Sequence, residues 1–340
     1  MNAFKNVLTL AFGRRILNLN VFKIDMLSRA FVALLLVISL AACGVALLQA
    51  GIYGWTLFAL LPSILGAVAS WVVRPKTGPR AARAGAVAVM AAACLLLTLR
   101  LDGLVCIVMA LPLTMSLGAL GALLVYHVEP SRHTTRGFTM LLLLSSATVL
   151  YDAKARPRVF EVRTEITVAA TPEEVWKHVV SFSDLPEPNE WFFHAGLAYP
   201  KRARIEGSGA GAVRYCEFST GPFVEPIEVW DEPRLLRFRV TENPAPMEEW
   251  SLYAKVRPKH LHGYLVSERG QFQLTPLPNG HTLLEGSTWY QHGLWPEEYW
   301  RWWSDAIIHR IHQRVLNHVR MLAEHTERAQ TDAARYTAQE

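Results

Sequence analysis

The sequence predicts an all-α transmembrane bundle followed by an α+β domain, a curved antiparallel sheet around a long C-terminal helix. Three observations lead there. Hydrophobic residues make up 51% of the 340, and they are concentrated before Asp152. From Phe160 onward apolar and polar residues alternate at the period of a strand. An amphipathic run from about Pro296 to Glu327 closes the chain. The length allows more than one domain, and the part beyond the membrane section is long enough to bury a core.

Four runs can each cross about 30 Å of hydrocarbon as helices: Phe31–Gly51, Trp55–Val73, Ala84–Leu99 and Leu104–Tyr126. A fifth, Gly137–Tyr151, is shorter; its Met140–Leu144 stretch favours a fifth span in a membrane domain over residues 30–151, the alternative being an interfacial or re-entrant segment. Before them, residues 1–29 mix Phe4, Val7, Leu8, Leu10 and Phe12 with basic residues, as an amphipathic interfacial helix does. They lack the compact charged start and small-residue cleavage site of a secretory signal.

Charge placement sets the expected orientation. Lys5, Arg14, Arg15, Lys23, Arg29, Arg74, Lys76, Arg80, Arg83, Arg132 and Arg136 fall on one side of the spans, and Arg100 alone falls on the other. Short loops rich in Lys and Arg stay in the cytoplasm. The expectation is a multi-pass protein of the inner (cytoplasmic) membrane, N-terminus inside and C-terminal domain outside the cytoplasm. Without the fifth crossing that domain would lie on the cytoplasmic side. The same placement explains the net charge of +5 as helix ends held at an anionic membrane face, so no nucleic-acid partner is expected. The first four spans carry no charged residue, which removes the usual mark of a transport path.

The soluble part, 155–327, opens on a half-buried strand in which Phe160, Val162, Thr164, Ile166 and Val168 alternate with polar neighbours. Thr171-Pro172-Glu173-Glu174 then predicts a helix start: a threonine cap, proline in the first turn and glutamate three residues after the cap. Further strands are expected over 213–219, 224–230, 235–241, 264–274 and 282–290, separated by Gly221-Pro222, Asp231-Glu232-Pro233 and Pro278-Asn279-Gly280. The last helix carries Trp300, Ser304, Ile307, Ile308, Ile311, Val315, Val319 and Leu322 on one face. Residues 328–340 read as a polar, frayed tail.

Ile166–Trp176 (ITVAATPEEVW), Glu228–Leu236 (EVWDEPRLL) and the amphipathic last helix resemble the START-related (SRPBCC) superfamily of polyketide cyclases, lipid-transfer domains and birch-pollen-allergen-like proteins. The resemblance covers roughly residues 160–326. It implies a helix-grip fold with an internal hydrophobic cavity, and no single activity, because that fold hosts binders, carriers and enzymes.

The cavity expected between sheet and helix is lined by Trp300, Ser304, Ile307 and Ile311 of the helix and by Tyr215, Glu217, Phe238, Phe272 and Trp289 of the strands. The alternative is that these residues fill a closed core, and a slip of one residue exchanges each strand's set. Among the strand carboxylates Glu217, Glu228, Glu268 and Glu285, Glu268 shares the parity of Phe272 and Leu274 and is the candidate for a desolvated acid or base. His309 falls on the polar side of the last helix, where pairing with Asp305 explains it.

Clusters at Trp191-Phe192-Phe193 and at Trp295, Tyr299, Trp300, Trp302 and Trp303 suit a cavity rim, the membrane interface, or packing under loops. Gly207–Gly211 lacks the helix and Lys-Ser/Thr of a phosphate loop, no GxSxG or CxxC occurs, and no third histidine ligand falls at metal spacing. No metal or other cofactor is therefore expected. Cys43, Cys94 and Cys106 lie in apolar runs and Cys216 stands alone in the soluble part.

The function expected is a membrane-anchored domain that binds a lipid or other hydrophobic small molecule. The alternatives are a cyclase or hydrolase using a cavity carboxylate, and a ligand sensor that signals through the membrane helices.

Overall fold

The computed structural model describes residues 27–128, 147–154, 156–248, 261 and 263–337. Most of the amphipathic segment expected over 1–29 and most of the expected fifth span lie outside the described residues. The chain divides into two compact units, residues 1–95 with 110–150, and 96–109 with 151–340.

Four helices in the described residues are long and apolar enough to cross a membrane: α1 (Leu27–Ala50), α2 (Thr56–Val73), α3 (Gly78–Thr98) and α4 (Leu104–His127). The helix α3 begins six residues before the expected span, so Arg80 and Arg83 sit in its first turns. A further helical segment, α5, covers 147–154.

Within the first unit the packing of α2, α3 and α4 rests on glycine. A methyl group on Gly66 of α2 would collide with the carbonyl of Gly118 on α4, and one on Gly85 of α3 would strike the same carbonyl. One on Gly121 would strike the carbonyl of Ser63. Lipid tails are as apolar as leucine, so apolar helices gain little by hiding from them, and close backbone approach over small residues holds such bundles together.

The second unit is an α+β helix-grip domain. Its elements are β1 (Val159–Val168), α6 (Pro172–Val180), α7 (Trp191–His194), β2 (Pro200–Glu206), β3 (Val213–Phe218), β4 (Gly221–Asp231), β5 (Leu235–Arg239), β6 (Leu265–Pro276), β7 (Thr282–His292) and α8 (Glu297–Thr337). The strands form one antiparallel sheet in the order β1-β7-β6-β5-β4-β3-β2. The helix α8 runs to Thr337, past the expected start of a frayed tail. Thr171 caps α6 through its backbone carbonyl and makes no side-chain cap bond; Glu174 turns instead to Lys177, at 2.7 Å.

The inner face of the sheet follows strand alternation. Val168, Leu236, Leu274 and Leu284 of the sheet join Val175 and Val179 of α6 and Val315, Leu316 and Val319 of α8 in one buried core. Trp176 of α6 meets Trp230 of β4 edge to face at 5.6 Å, so the two sequence segments that carry the family resemblance touch. A second cluster, Phe160, Val162, Tyr290 and Ile308, lies toward the start of α8. There Arg158 pairs with the buried Glu297 and ties the entry to β1 to the first turn of the helix. In a third cluster Phe193, Leu197, Met247 and Leu261 pack with Ile307 and Ile311. The 96–109 segment belongs to this unit: Val105 and Cys106 lie against the third cluster, and Tyr299 donates to the Met109 carbonyl.

The glycine contacts give a direct test. Gly118→Leu should cost about 1–3 kcal/mol or more by overpacking and lower the melting temperature of the detergent-solubilised protein by several degrees. Leu120→Ala, at a position half exposed on α4, should leave it nearly unchanged. Equal effects from the two would rule out glycine contact as the basis of packing.

Candidate functional site

The polar groups inside the grip come from strand alternation. On β3, Arg214 and Cys216 share the inner side, and on β4 Glu225 shares it with Ile227. The register sets Arg214 directly opposite Glu225. The two form a buried ion pair, with Arg214 Nη1 donating to the Glu225 carboxylate. Arg214 Nε donates to the Val180 carbonyl at the end of α6, at 3.2 Å. Phe182, Phe238 and Phe272 surround the guanidinium, each ring centroid 5.5 Å from Cζ and within cation–π range.

Arg214 is 1% exposed, and its Nη2 has no hydrogen-bond partner among the described residues. Burial opposes the guanidinium charge, but the facing Glu225 more than offsets it, and the Arg214 pKa ends above its usual value. The adjoining Cys216 thiol is pushed up to about 12, by burial first and Glu225 second. At neutral pH it is therefore an unreactive thiol.

A second polar group occupies the middle of the same face. Thr164 of β1 and Thr288 of β7 look toward α8, which supplies His309, His312 and Gln313. Thr164 Oγ1 lies 2.8 Å from His309 Nδ1 and 3.1 Å from His312 Nδ1, and Thr288 Oγ1 lies 2.7 Å from His312 Nε2. Gln313 Nε2 stands 3.0 Å from His309 Nε2. A third group lies nearer the start of α8, where the Tyr290 hydroxyl donates to Asp305 at 2.5 Å and Arg301 Nε donates to the other Asp305 oxygen at 3.2 Å. Burial, then the bond to Asp305, raises the Tyr290 pKa.

Between sheet and helix, Phe272, Thr288, Ser304, Ile307, Ile311 and His312 keep partial exposure although they belong to facing surfaces. His312 is enclosed by protein on nearly all sides and yet has accessible surface of its own.

The residues proposed from sequence divide into those the inner face gathers and those it does not. Phe238 and Phe272 stand beside Arg214, 6.1 Å apart. On α8, Trp300 is buried, Ser304 lies near the Tyr290 hydroxyl, and Ile307 and Ile311 turn to the third cluster. Three residues take the opposite face of the sheet. Tyr215 lies under the Arg204 guanidinium at 3.9 Å, Glu217 binds Arg202 at 2.7 Å, and Trp289 lies under Arg269 at 4.4 Å. On β3 the inner set is Arg214 and Cys216, one residue out of step with the expected one.

Glu268 is the extra residue of a bulge between Ser267 and Arg269, which interrupts the alternation that linked it to Phe272. Glu228 is exposed and Glu285 faces Arg163 at 3.3 Å. His309 faces the sheet, and Asp305 bonds Tyr290 and Arg301 in its place. The buried carboxylate of the inner face, Glu225, alternates with Phe223 and Ile227, a signal present in the sequence and missed there.

Residues 159–289 match the family model described as polyketide cyclase / dehydrase and lipid transport. The second unit carries a domain of this SRPBCC family. The match ends within β7, so α8 lies beyond it. Solved structures similar to the chain include truncated norcoclaurine synthase from Thalictrum flavum, at 13% identity and a TM-score of 0.32, covering 50% of this chain and 96% of that one. The Zhui aromatase/cyclase from Streptomyces sp. R1128 matches at 16% identity and a TM-score of 0.31, covering 49% and 94%. A protein of Nitrosomonas europaea matches at 12% identity and a TM-score of 0.30, covering 49% and 95%. No curated protein matches the chain.

The SRPBCC interior should show itself in acid. Burial first, and then His309, push the His312 pKa down to about 4 from 6.5. The unfolded chain takes up this proton near pH 6.5 and the folded chain only near 4. The stability held by neutral His312 is thus complete above pH 6.5 and lost as pH falls toward 4, to a total of roughly 3 kcal/mol. Melting curves of wild type and His312→Gln between pH 7 and 4.5 should show a shallower decline in the variant. Identical slopes would mean that His312 titrates as an exposed histidine.

Proposed function

We propose that the SRPBCC domain binds a lipid or other hydrophobic small molecule between its sheet and α8, and that the apolar helices hold it at a membrane. The observation that carries this reading is Arg214: a charged group buried against three phenylalanine rings, with one nitrogen unmatched among the described residues. An unpaired buried donor costs about 1–3 kcal/mol, and a core that only needs filling gains nothing from it. A ligand oxygen at Nη2 would satisfy it while the rings cover the apolar body. The matching family's description, which includes lipid transport, agrees with this reading.

An enzyme of cyclase or hydrolase type would need an interior carboxyl group free to move a proton. Glu225, the buried carboxylate of the inner face among the described residues, is engaged by Arg214. The geometry therefore favours binding.

The test removes both partners, since removing one would leave an uncompensated charge. Replacing a buried ion pair by apolar residues of similar size is often neutral or stabilising, so Arg214→Met/Glu225→Leu should fold. Organic extraction of purified wild type should release an apolar molecule in near-stoichiometric amount, and extraction of the double variant should release at least tenfold less. A wild type that carries no molecule and takes up no apolar fluorophore would sink the reading.

The membrane reading includes a side. Arg100 lies on the side of the apolar helices expected to be poor in Lys and Arg, and the 96–109 segment around it clusters with the SRPBCC domain. A loop and a domain that pack together share one side of the bilayer. With five spans, the asymmetry of Lys and Arg between the loops puts the C-terminal domain outside the cytoplasm. Alkaline phosphatase fused at the C-terminus should therefore be active and green fluorescent protein fused there dark. The reverse pattern would place the domain in the cytoplasm.

A further inference from the structure

The His–Thr group has a direction, and Arg310 sets it. Arg310 Nη1 can only donate, and it lies 3.3 Å from Gln313 Oε1. That fixes the amide, so Gln313 Nε2 donates to His309 Nε2 at 3.0 Å. With Nε2 accepting, neutral His309 carries its proton on Nδ1 and donates to Thr164 Oγ1 at 2.8 Å. The Thr164 hydroxyl then spends its own proton on His312 Nδ1 at 3.1 Å, which leaves His312 protonated on Nε2 and donating to Thr288 Oγ1 at 2.7 Å. Each link fixes the next, from the exposed Arg310 to the interior. The reverse order would set two donors against each other at Gln313.

The chain ends on an unspent proton. Thr288 accepts from His312, and its hydroxyl hydrogen has no other partner among the described residues. Thr288 keeps accessible surface on the inner face. Its cross-strand neighbour is Gly270, which offers no side chain; a methyl group there would sit 2.6 Å from the Phe238 ring. The hydroxyl thus stands on the inner face, opposite the glycine that the Phe238 ring covers.

Resting on the binding function proposed above, we infer that Thr288 is a specificity-determining hydrogen-bond donor of the ligand site, and that it selects apolar molecules bearing an uncharged carbonyl oxygen. Gln313, His309, Thr164 and His312 are positioning residues: they hold the Thr288 oxygen as an acceptor from the protein, so that its proton is free for the ligand. A hydrocarbon of the same shape gains nothing from this donor and leaves it unpaired.

The experiment uses the full-length protein in detergent and two fluorescent probes, a dimethylaminonaphthyl ketone and the matching dimethylaminonaphthyl alkane. Wild type should bind the ketone about tenfold more tightly, the worth of one neutral hydrogen bond. Thr288→Val should abolish that preference by weakening the ketone and not the alkane, which no longer leaves a donor unpaired, and Thr288→Ser, which keeps the hydroxyl, should restore it. The carbonyl stretch of the bound ketone should move to lower frequency in wild type, a readout that needs no variant. An unshifted stretch, or a Thr288→Val protein that weakens both probes equally, overturns the inference while the binding function stands. If wild type binds neither probe, the binding function itself fails.

Discussion

The second unit depends on one constraint: α8 alone must cover the long inner face of a seven-stranded sheet, and its side chains must suit what each part of that face presents. It does so in sections. Val315, Leu316, Val319 and Ala323 fill the core under α6, Ile308 meets Phe160 and Tyr290 toward the other end, and Ile307 and Ile311 turn sideways to Phe193 and Leu197. Between the apolar sections the helix lowers His309, His312 and Gln313 onto two threonines. A helix that only needed to seal the sheet would carry leucine there.

Polar groups survive in this interior because each is answered by another. Arg214 could not stay charged behind 1% exposure without Glu225 across the strand pair, and the threonine hydroxyls and the Gln313 amide complete the bonding of the two imidazoles. Buried ion pairs are poor sources of stability, since desolvation consumes most of the attraction. The ion pair is therefore not what keeps the domain folded. The apolar sections of α8 and the sheet supply the stability.

Much of this was legible in the sequence. The long apolar helices stood out because hydropathy is read over many residues, and their ends moved by no more than six residues. β1, the start of α6 and the order of later strands followed from alternation and turn chemistry. The edge strand β2 was missed because Lys201, Arg202 and Arg204 leave only Ala203 and Ile205 to mark its buried side. The inner face was harder for a different reason: period two gives two complementary sets, and the sequence does not say which looks inward. On β3 the aromatic Tyr215 drew attention to one set, while the fold buries the set with Arg214, whose charge argued against burial until Glu225 was seen opposite. Bulges in β4 and β6 shift the parity part-way along, so the reading from Phe272 does not carry through to Glu268.

The β6 bulge also arranges the site. Ahead of it Leu265 packs inward beside Tyr290, and beyond it Gly270 and Phe272 do so. An unbroken strand running inward through 265, 267 and 269 would have turned Gly270 outward and set Arg269 against the Phe238 wall. Because of the extra residue, Gly270 falls under the Phe238 ring and opposite Thr288, while Arg269 goes to the outer face over Trp289. The two interior donors then stand on either side of the same rings. Arg214 reaches Phe238 and Phe272 from β3, and Thr288 pairs with Gly270, which the Phe238 ring covers. A molecule lying on those rings is offered a charged donor from one side and a neutral one from the other. The spacing of those donors, set by three strands and a bulge, restricts which oxygens a bound molecule can present.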